Sequence, residues 1–320
     1  HLQYPFRGVY VFMTPHFTSA IAAFGVVFFS YGAIVASELW FLYRKHFVEV
    51  SLRLREKQDK TLVEWFQYLI FCSLTLGVYD VSEEALHRDE KAIRILAGIG
   101  IPVACFLHGY AGFIFGSVKA NALWMTPLMP VIFIMSAVVS GIALCMLTYI
   151  ITMEFKKFMA SRKRPVRGAF HSKEEIKGVE VNVIRMTAKY LVFFLVAAIS
   201  LELLDLIFRG YTAVKSWDVL RSVIYGKDFI DIFVMQYGIG NLVPLILFLI
   251  PGLTIRRAVL GVVLVIFGVF MMRWNVVIGG QAFSLSFAGY MHYHLPIIPH
   301  DWETFKEGFF GAASIFVMPF

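Results

Sequence analysis

Charge is scarce in this chain: only 16% of its 320 residues are Asp, Glu, Lys or Arg, against roughly 25% in an ordinary globular domain. A disordered chain or a conventional cytosolic enzyme would carry more. Cysteine is scarcer still. Cys72, Cys105 and Cys145 are the whole complement. An iron–sulfur cluster needs four ligands, usually thiolates, so this chain cannot hold one alone, and no disulfide framework is indicated. Deep histidines are missing too. Haem held between helices needs paired histidines on facing spans, and only His108 lies within a clear apolar run. His46, His87, His171, His292, His294 and His300 fall between runs, which argues against intrinsic haem. The spacing of His292, His294 and His300 matches no closed metal site, so no metal is expected. The chain opens on His1 rather than Met, without a signal peptide, and ends at Phe320 inside an apolar run. Both ends are expected to be cut short.

Apolar residues are abundant. They make up 59% of the sequence, and the mean hydropathy is +0.72. That composition indicates an all-α, polytopic transmembrane helix bundle in a cell membrane. The net charge of +7 is not a nucleic-acid signal, because the excess sits in loops between apolar runs. Runs of about 20 residues predict spans at 16–43, 61–80, 94–118, 127–153, 186–208, 237–252 and 257–276, with a partial eighth from Phe309. Only Pro251 to Ile255 separates the sixth and seventh, which predicts a tight helical hairpin. If all of these cross, the loops on the face reached after the first span carry 11 Lys and Arg, and those on the other carry 12. The densest stretch, Lys156 to Arg167, then assigns its own face to the cytoplasm. The organisation expected is a first half at 1–153, a basic cytoplasmic loop at 154–185 and a second half at 186–320.

Ionisable residues inside spans are costly and ask for a reason. His108 lies 11 residues before Lys119, about 16 Å of helix. It is either a proton-exchanging or carbonyl-binding group, or a histidine bonding a neighbouring helix. On the same helix Cys105, Gly109, Gly112 and Gly116 would let another backbone approach closely. Glu202, Asp205 and Arg209 fall at i, i+3 and i+7, on one helical face. They read as a proton-relay or ion site, with an Asp205–Arg209 ion pair as the plainer alternative. Glu38 closes the first span. Glu64, Trp65, Gln67 and Tyr68 open the second, and Lys119, Asn121 and Trp124 join the third and fourth. These ends are expected to converge on one face. Asp80, Glu83, Glu84 and Arg94 would form a water-linked exit on the other, or a solvated acidic loop. Asn275 followed by Gly279-Gly280 predicts a constrained bend.

The stretch His108-Gly109-Tyr110-Ala111-Gly112-Phe113 through Ser117-Val118-Lys119-Ala120-Asn121-Ala122-Leu123-Trp124, followed by Pro127-Leu128-Met129-Pro130 and Ser140-Gly141, resembles the NrfD/PsrC family. These are quinone-handling membrane subunits of bacterial and archaeal redox complexes. Arg273-Trp274-Asn275 with Gly279-Gly280-Gln281 looks like the ten-span, DsrP-type branch. Tyr4-Pro5-Phe6-Arg7 and Thr14-Pro15 resemble the segment after the second span of that branch, so two spans would be missing upstream.

The resemblance implies a subunit with no haem or iron–sulfur cluster of its own. It would bind menaquinone or menaquinol near the outer face, beside a ferredoxin-like iron–sulfur subunit and further cytochrome and iron–sulfur subunits. The family's site then maps to His108 and Tyr110. Lys119, Asn121 and Trp124 are added only as neighbours, with Trp65 and Tyr68 near the second span's start. His108 or Tyr110 would bond a quinol oxygen while Glu38 or Glu64 takes protons. Glu202, Asp205, Asp80, Glu84 and Arg94 would form a path if protons leave by the opposite face. The competing expectation is a secondary transporter or ion-translocating protein using the same buried carboxylates.

Overall fold

A computed structural model of the chain describes residues 19–57, 59–118, 121, 123–162, 178–211, 217, 221, 223–227, 229–280 and 302. The regular elements among them are helical. They are α1 (Ala20–Glu56), α2 (Leu62–Leu74), α3 (Glu83–Gly116), α4 (Met129–Arg162), α5 (Val181–Tyr211), α6 (Ile230–Leu249) and α7 (Ile255–Trp274), with two short π-helical turns at Val223–Lys227 and Asn275–Gly279. All but α2 are long and apolar enough to cross a membrane. With 13 residues, α2 extends about 20 Å, short of the roughly 30 Å hydrocarbon core. Six candidate spans therefore stand among the described residues where the sequence suggested about eight. The second expected span is this short helix, and the run from Phe309 lies outside the described residues.

The helices outrun their apolar stretches. Hydrocarbon forces the backbone to bond internally, and a helix once started continues into water wherever its residues tolerate it. So α1 runs on through Arg44–Glu56, α3 begins at Glu83 and α4 continues to Arg162. α2 starts with a capping box: Thr61 accepts from the Glu64 amide, and the Glu64 carboxylate accepts from the Thr61 amide at 3.0 Å. At the hairpin between α6 and α7, Gly252 takes φ +71°, a conformation that favours glycine. Thr254 then caps α7. The tight hairpin expected from Pro251 to Ile255 is present.

The chain divides into two compact units between Ala111 and Gly112. In the first, α3 runs antiparallel along α1. Tyr110 stacks on Phe24 at 6.4 Å, and Gly100 faces Ile34. Arg44, only 2% exposed, contacts Asp89 through Nη2 at 2.6 Å and Nε at 2.8 Å. It also donates to the Asp80 carbonyl. The short α2 packs beside the charged half of α1: Phe71 meets His46 and Phe47 at 6.0 Å, and Trp40 Nε1 donates to the Leu74 carbonyl at 2.8 Å. α2 therefore reaches Trp40 and turns back.

In the second unit, buried residues recur at alternating steps of three and four. Examples are Ile184, Ala188, Leu191, Leu195 and Ala198 on α5, Val139, Ala143, Met146 and Ile150 on α4, and Ala258, Val262 and Val265 on α7. That spacing places one stripe of each helix against the others. Small residues set the approach distances. A Cβ on Gly268 would lie 2.6 Å from the Gly240 carbonyl oxygen, so α6 and α7 meet backbone to backbone. Gly112 and Gly116 fit against Met129, Pro130 and Thr126 at the start of α4, the close approach expected of that stripe.

Arg44→Ala should lower the stability of the detergent-solubilised chain by about 3–5 kcal/mol, because it leaves a buried carboxylate and a carbonyl unpaired. Arg44→Lys, lacking the fork, should fall between. An unchanged thermal midpoint for the alanine variant would show that the pair does not hold α1 to α3.

Candidate functional site

The second unit gathers its polar side chains at one end. Glu202, Asp205 and Arg209 share one face of α5. The first thirteen residues of α6, Ile230–Leu242, are wound as a π-helix, and Asn275–Gly279 continues α7 as another. π-Helical turns are rare and concentrate at functional sites. Here they deliver Gln236, Tyr237 and Asn275 toward α5.

Gln236 Nε2 donates to Glu202 Oε2 at 2.9 Å, and its Oε1 accepts from Asn275 Nδ2 at 2.9 Å. Asn275 also reaches the Asp231 carbonyl at 3.3 Å. The Tyr237 hydroxyl donates to Glu202. Three residues along α5, Asp205 receives Arg209 Nε at 2.9 Å and Nη2 at 2.8 Å, together with the Thr126 hydroxyl. The Asp205–Arg209 ion pair read as the plainer alternative is thus present, but it is one part of a larger network. Among the described contacts, a cation holds Asp205 whereas neutral donors hold Glu202. Of the two, Glu202 can gain or lose a proton without breaking an ion pair.

A cavity of about 110 Å³ lies between these groups. Glu202, Asp205, Arg209, Gln236, Tyr237 and Asn275 line it, with Met129, Ile132, Leu206 and Met272. A second void of about 10 Å³ adjoins Glu202 beside Ser136, Asn241 and Gly268. A single water needs about 10–15 Å³ on this measure and two to four polar partners. The larger cavity has room and partners for several waters, and the smaller for about one. Glu202 borders both.

The other expected residues are differently placed. His108 is half-buried on α3, its Nδ1 3.0 Å from the Ala104 carbonyl. Tyr110 lies between the rings of Phe24 and Phe106. Glu38 is partly buried midway along α1. Glu64 is tied to the Thr61 cap and to Lys57 Nζ at 2.6 Å, at the far end of α1. Phe24 and Lys57 mark the two levels, about 50 Å of helix apart. His108 and Glu64 therefore cannot serve one bound molecule, and the expected pairing is corrected: Glu64 acts as a helix cap. Trp65 is exposed, and Tyr68 carries Lys60 Nζ 4.7 Å above its ring. Both stay with Glu64 at that end, so they do not join His108 either.

Asn121, 5% exposed, donates to the Gly280 carbonyl at 2.7 Å and accepts from the Leu123 and Trp124 amides. Trp124 donates to the Val276 carbonyl and packs edge-on against Phe115. A Cβ on Gly280 would strike the Trp124 ring, but in place of the constrained bend expected after Asn275 the helix runs on, π-wound from Asn275 to Gly279, with Gly280 still helical. Lys119 and the trio His292, His294 and His300 lie outside the described residues. Asp80 accepts from the Ser82 amide at 2.9 Å, and that bond holds its carboxyl below the usual range. Glu84 is exposed in the first turn of α3, and Arg94 pairs with Glu90 at 3.4 Å on the surface. Among the described residues, no group of three or more His, Cys, Asp or Glu side chains is placed to hold a metal ion.

Residues missed from sequence were Thr126, Gln236, Tyr237 and Asn241 around Glu202, and the Arg44–Asp89 pair. Gln236 and Asn241 carried a signal, as amides within an apolar run. Arg44 looked like the first charge of a loop.

Residues 1–285 match the profile of the polysulphide reductase NrfD family, and the chain belongs to that family. It is accordingly a multi-pass integral membrane protein, consistent with a bacterial or archaeal membrane. Over 298 residues, 91% of this chain and 56% of the relative, it is 27% identical to a provisionally named membrane subunit of a dimethyl sulfoxide reductase from Halobacterium salinarum. It is 38% identical over 125 residues to one subunit of the selenate reductase of Mesobacillus selenatarsenatis, covering 37% of this chain and 27% of that one. It is 31% identical over 90 residues to the Hdr-like menaquinol oxidoreductase integral membrane subunit of Archaeoglobus fulgidus, covering 28% and 21%. The chain thus spans between a fifth and just over half of the length of these relatives.

Gln236→Leu should cost about 1–3 kcal/mol, because it strands a Glu202 oxygen and the Asn275 amide together. Thermal unfolding in detergent reads this directly. A midpoint equal to that of the parent would show that Gln236 does not hold the network.

Proposed function

We propose that the chain is the quinone-exchanging membrane subunit of a multi-subunit respiratory oxidoreductase. In this reading it passes electrons between menaquinol and a ferredoxin-like iron–sulfur partner, and protons move through Glu202 and Asp205. The observation that carries the reading is the cavity between these two carboxylates, in a chain of the NrfD family. The names of the relatives, two reductase subunits and a menaquinol oxidoreductase subunit, support the same class of chemistry. The DsrP-type resemblance extends it to sulfur-compound respiration, with further cytochrome and iron–sulfur subunits in one complex.

The cavity of about 110 Å³ is smaller than the roughly 300–1,000 Å³ of sites that enclose a ligand of drug size. It suits a short water chain better than a menaquinone. The quinol head group is therefore assigned, by resemblance, to His108 and Tyr110. The Ala104 carbonyl fixes His108 Nδ1 as the donor, which leaves the acceptor lone pair of a neutral ring on Nε2. By resemblance, His108 is the side chain that would bond a quinol oxygen. Oxidation removes two electrons and two protons. The electrons go to the iron–sulfur partner, and the protons to the histidine and then a carboxylate, with Glu38 the candidate on α1.

A second reading follows from the position of Glu202 between two voids: an ion-translocating protein that needs no quinone. His108→Ala separates the two. It should slow quinol-dependent reduction of the iron–sulfur partner by about 10²-fold or more, the scale of a lost general base, while the complex still assembles. Unchanged turnover would remove His108 from the mechanism. Ion flux in vesicles holding this chain alone, abolished by Glu202→Gln, would favour the second reading.

A further inference from the structure

The connection between α1 and α3 decides which way the whole chain faces. Consecutive spans related by a crossing segment have their facing ends on opposite sides of the bilayer. α1 and α3 do not. Arg44, where α1 leaves its apolar stretch, is bonded to Asp89, where α3 has not yet entered its own. Ten or so residues deeper, Ile34 faces Gly100, and near the other end Phe24 stacks on Tyr110. The charged end of α1 and the charged start of α3 therefore lie at one level. α2, between them in sequence, packs on the same charged half of α1 and stops at Trp40.

We infer that residues 57–82 leave and return on one membrane face, so that α2 is a non-crossing hairpin arm, and that this face is cytoplasmic. The Lys and Arg count changes with it. Counted along the chain with α1, α3, α4, α5, α6 and α7 as the crossings, loops 44–60, 81–93, 154–185 and 253–256 share a face, with six, two, nine and one basic residues. Loops 119–126, 210–236 and 277–306 share the other, with one, three and one. The near tie of 11 against 12 becomes eighteen against five. Without the buried Arg44 it is still seventeen against five. An imbalance of that size, carried by short loops, fixes orientation.

The sidedness expected from sequence is corrected in part. The stretch from Lys156 to Arg167 stays cytoplasmic and 44–60 moves to join it, while Asn121 and Trp124 stay on the non-cytoplasmic side. The Glu202–Asp205 cavity, at the end of α5 that leads to 210–236, then exchanges with the non-cytoplasmic side. That last consequence rests on the proton-path reading, whereas the topology does not.

Impermeant maleimide labelling of the full chain in cell membranes tests the topology without any turnover. Cys72, Cys105 and Cys145 are replaced by Ser, and Asp59→Cys, Glu83→Cys, Gly178→Cys and Ser117→Cys are introduced one at a time. Labelling in detergent confirms that each thiol reacts, and a neighbouring position replaces any that does not. In right-side-out cells only Ser117→Cys should label. In inverted vesicles the other three should label and Ser117→Cys should not. Labelling of Asp59→Cys and Glu83→Cys from opposite faces would show that α2 crosses and overturn the inference. Labelling of both from outside would overturn the orientation.

Discussion

A bilayer core offers no hydrogen bonds, so every polar group carried into it must find a partner within the protein. This constraint shapes both units. It makes the spans helical and lets their ends run on into water. It also decides where the few internal carboxylates go. Glu202 is met by an amide and a phenol, and Asp205 by a guanidinium and a hydroxyl. The π-helical winding of α6 and of the turn after α7 is the backbone's contribution, since it turns Gln236 onto the Glu202 carboxylate and Asn275 onto Gln236.

Packing without a hydrophobic drive between helices depends on close approach. Gly240 against Gly268 brings α6 onto α7, and that contact sets the distance at which Gln236 reaches Asn275. The network and the glycines therefore support one another. Larger residues at the crossing would separate the helices and leave the amides unpaired.

Much of the fold was legible in the sequence. Long apolar runs announced the helices, the interval from Pro251 to Ile255 announced the hairpin, and the i, i+3, i+7 spacing put Glu202, Asp205 and Arg209 on one face. What was hidden depended on pairing across distance. Hydropathy alone cannot separate a helix that crosses from one that turns back, and α2 is as apolar as a span. Arg44 resembled a loop cation because its partner, Asp89, is 45 residues away. Glu64 resembled a proton acceptor, but Thr61-x-x-Glu64 is also the signature of a capping box, and that is its role. Gln236 and Asn275 gain meaning only from a π-helical register that no apolar periodicity encodes.

The central claim is that the chain handles a quinone alongside an iron–sulfur partner. Gentle solubilisation of native membranes, followed by mass spectrometry of everything that stays bound, tests it most directly. A menaquinone and at least one iron–sulfur protein should travel with the chain. A chain that purifies alone and free of quinone would contradict the claim.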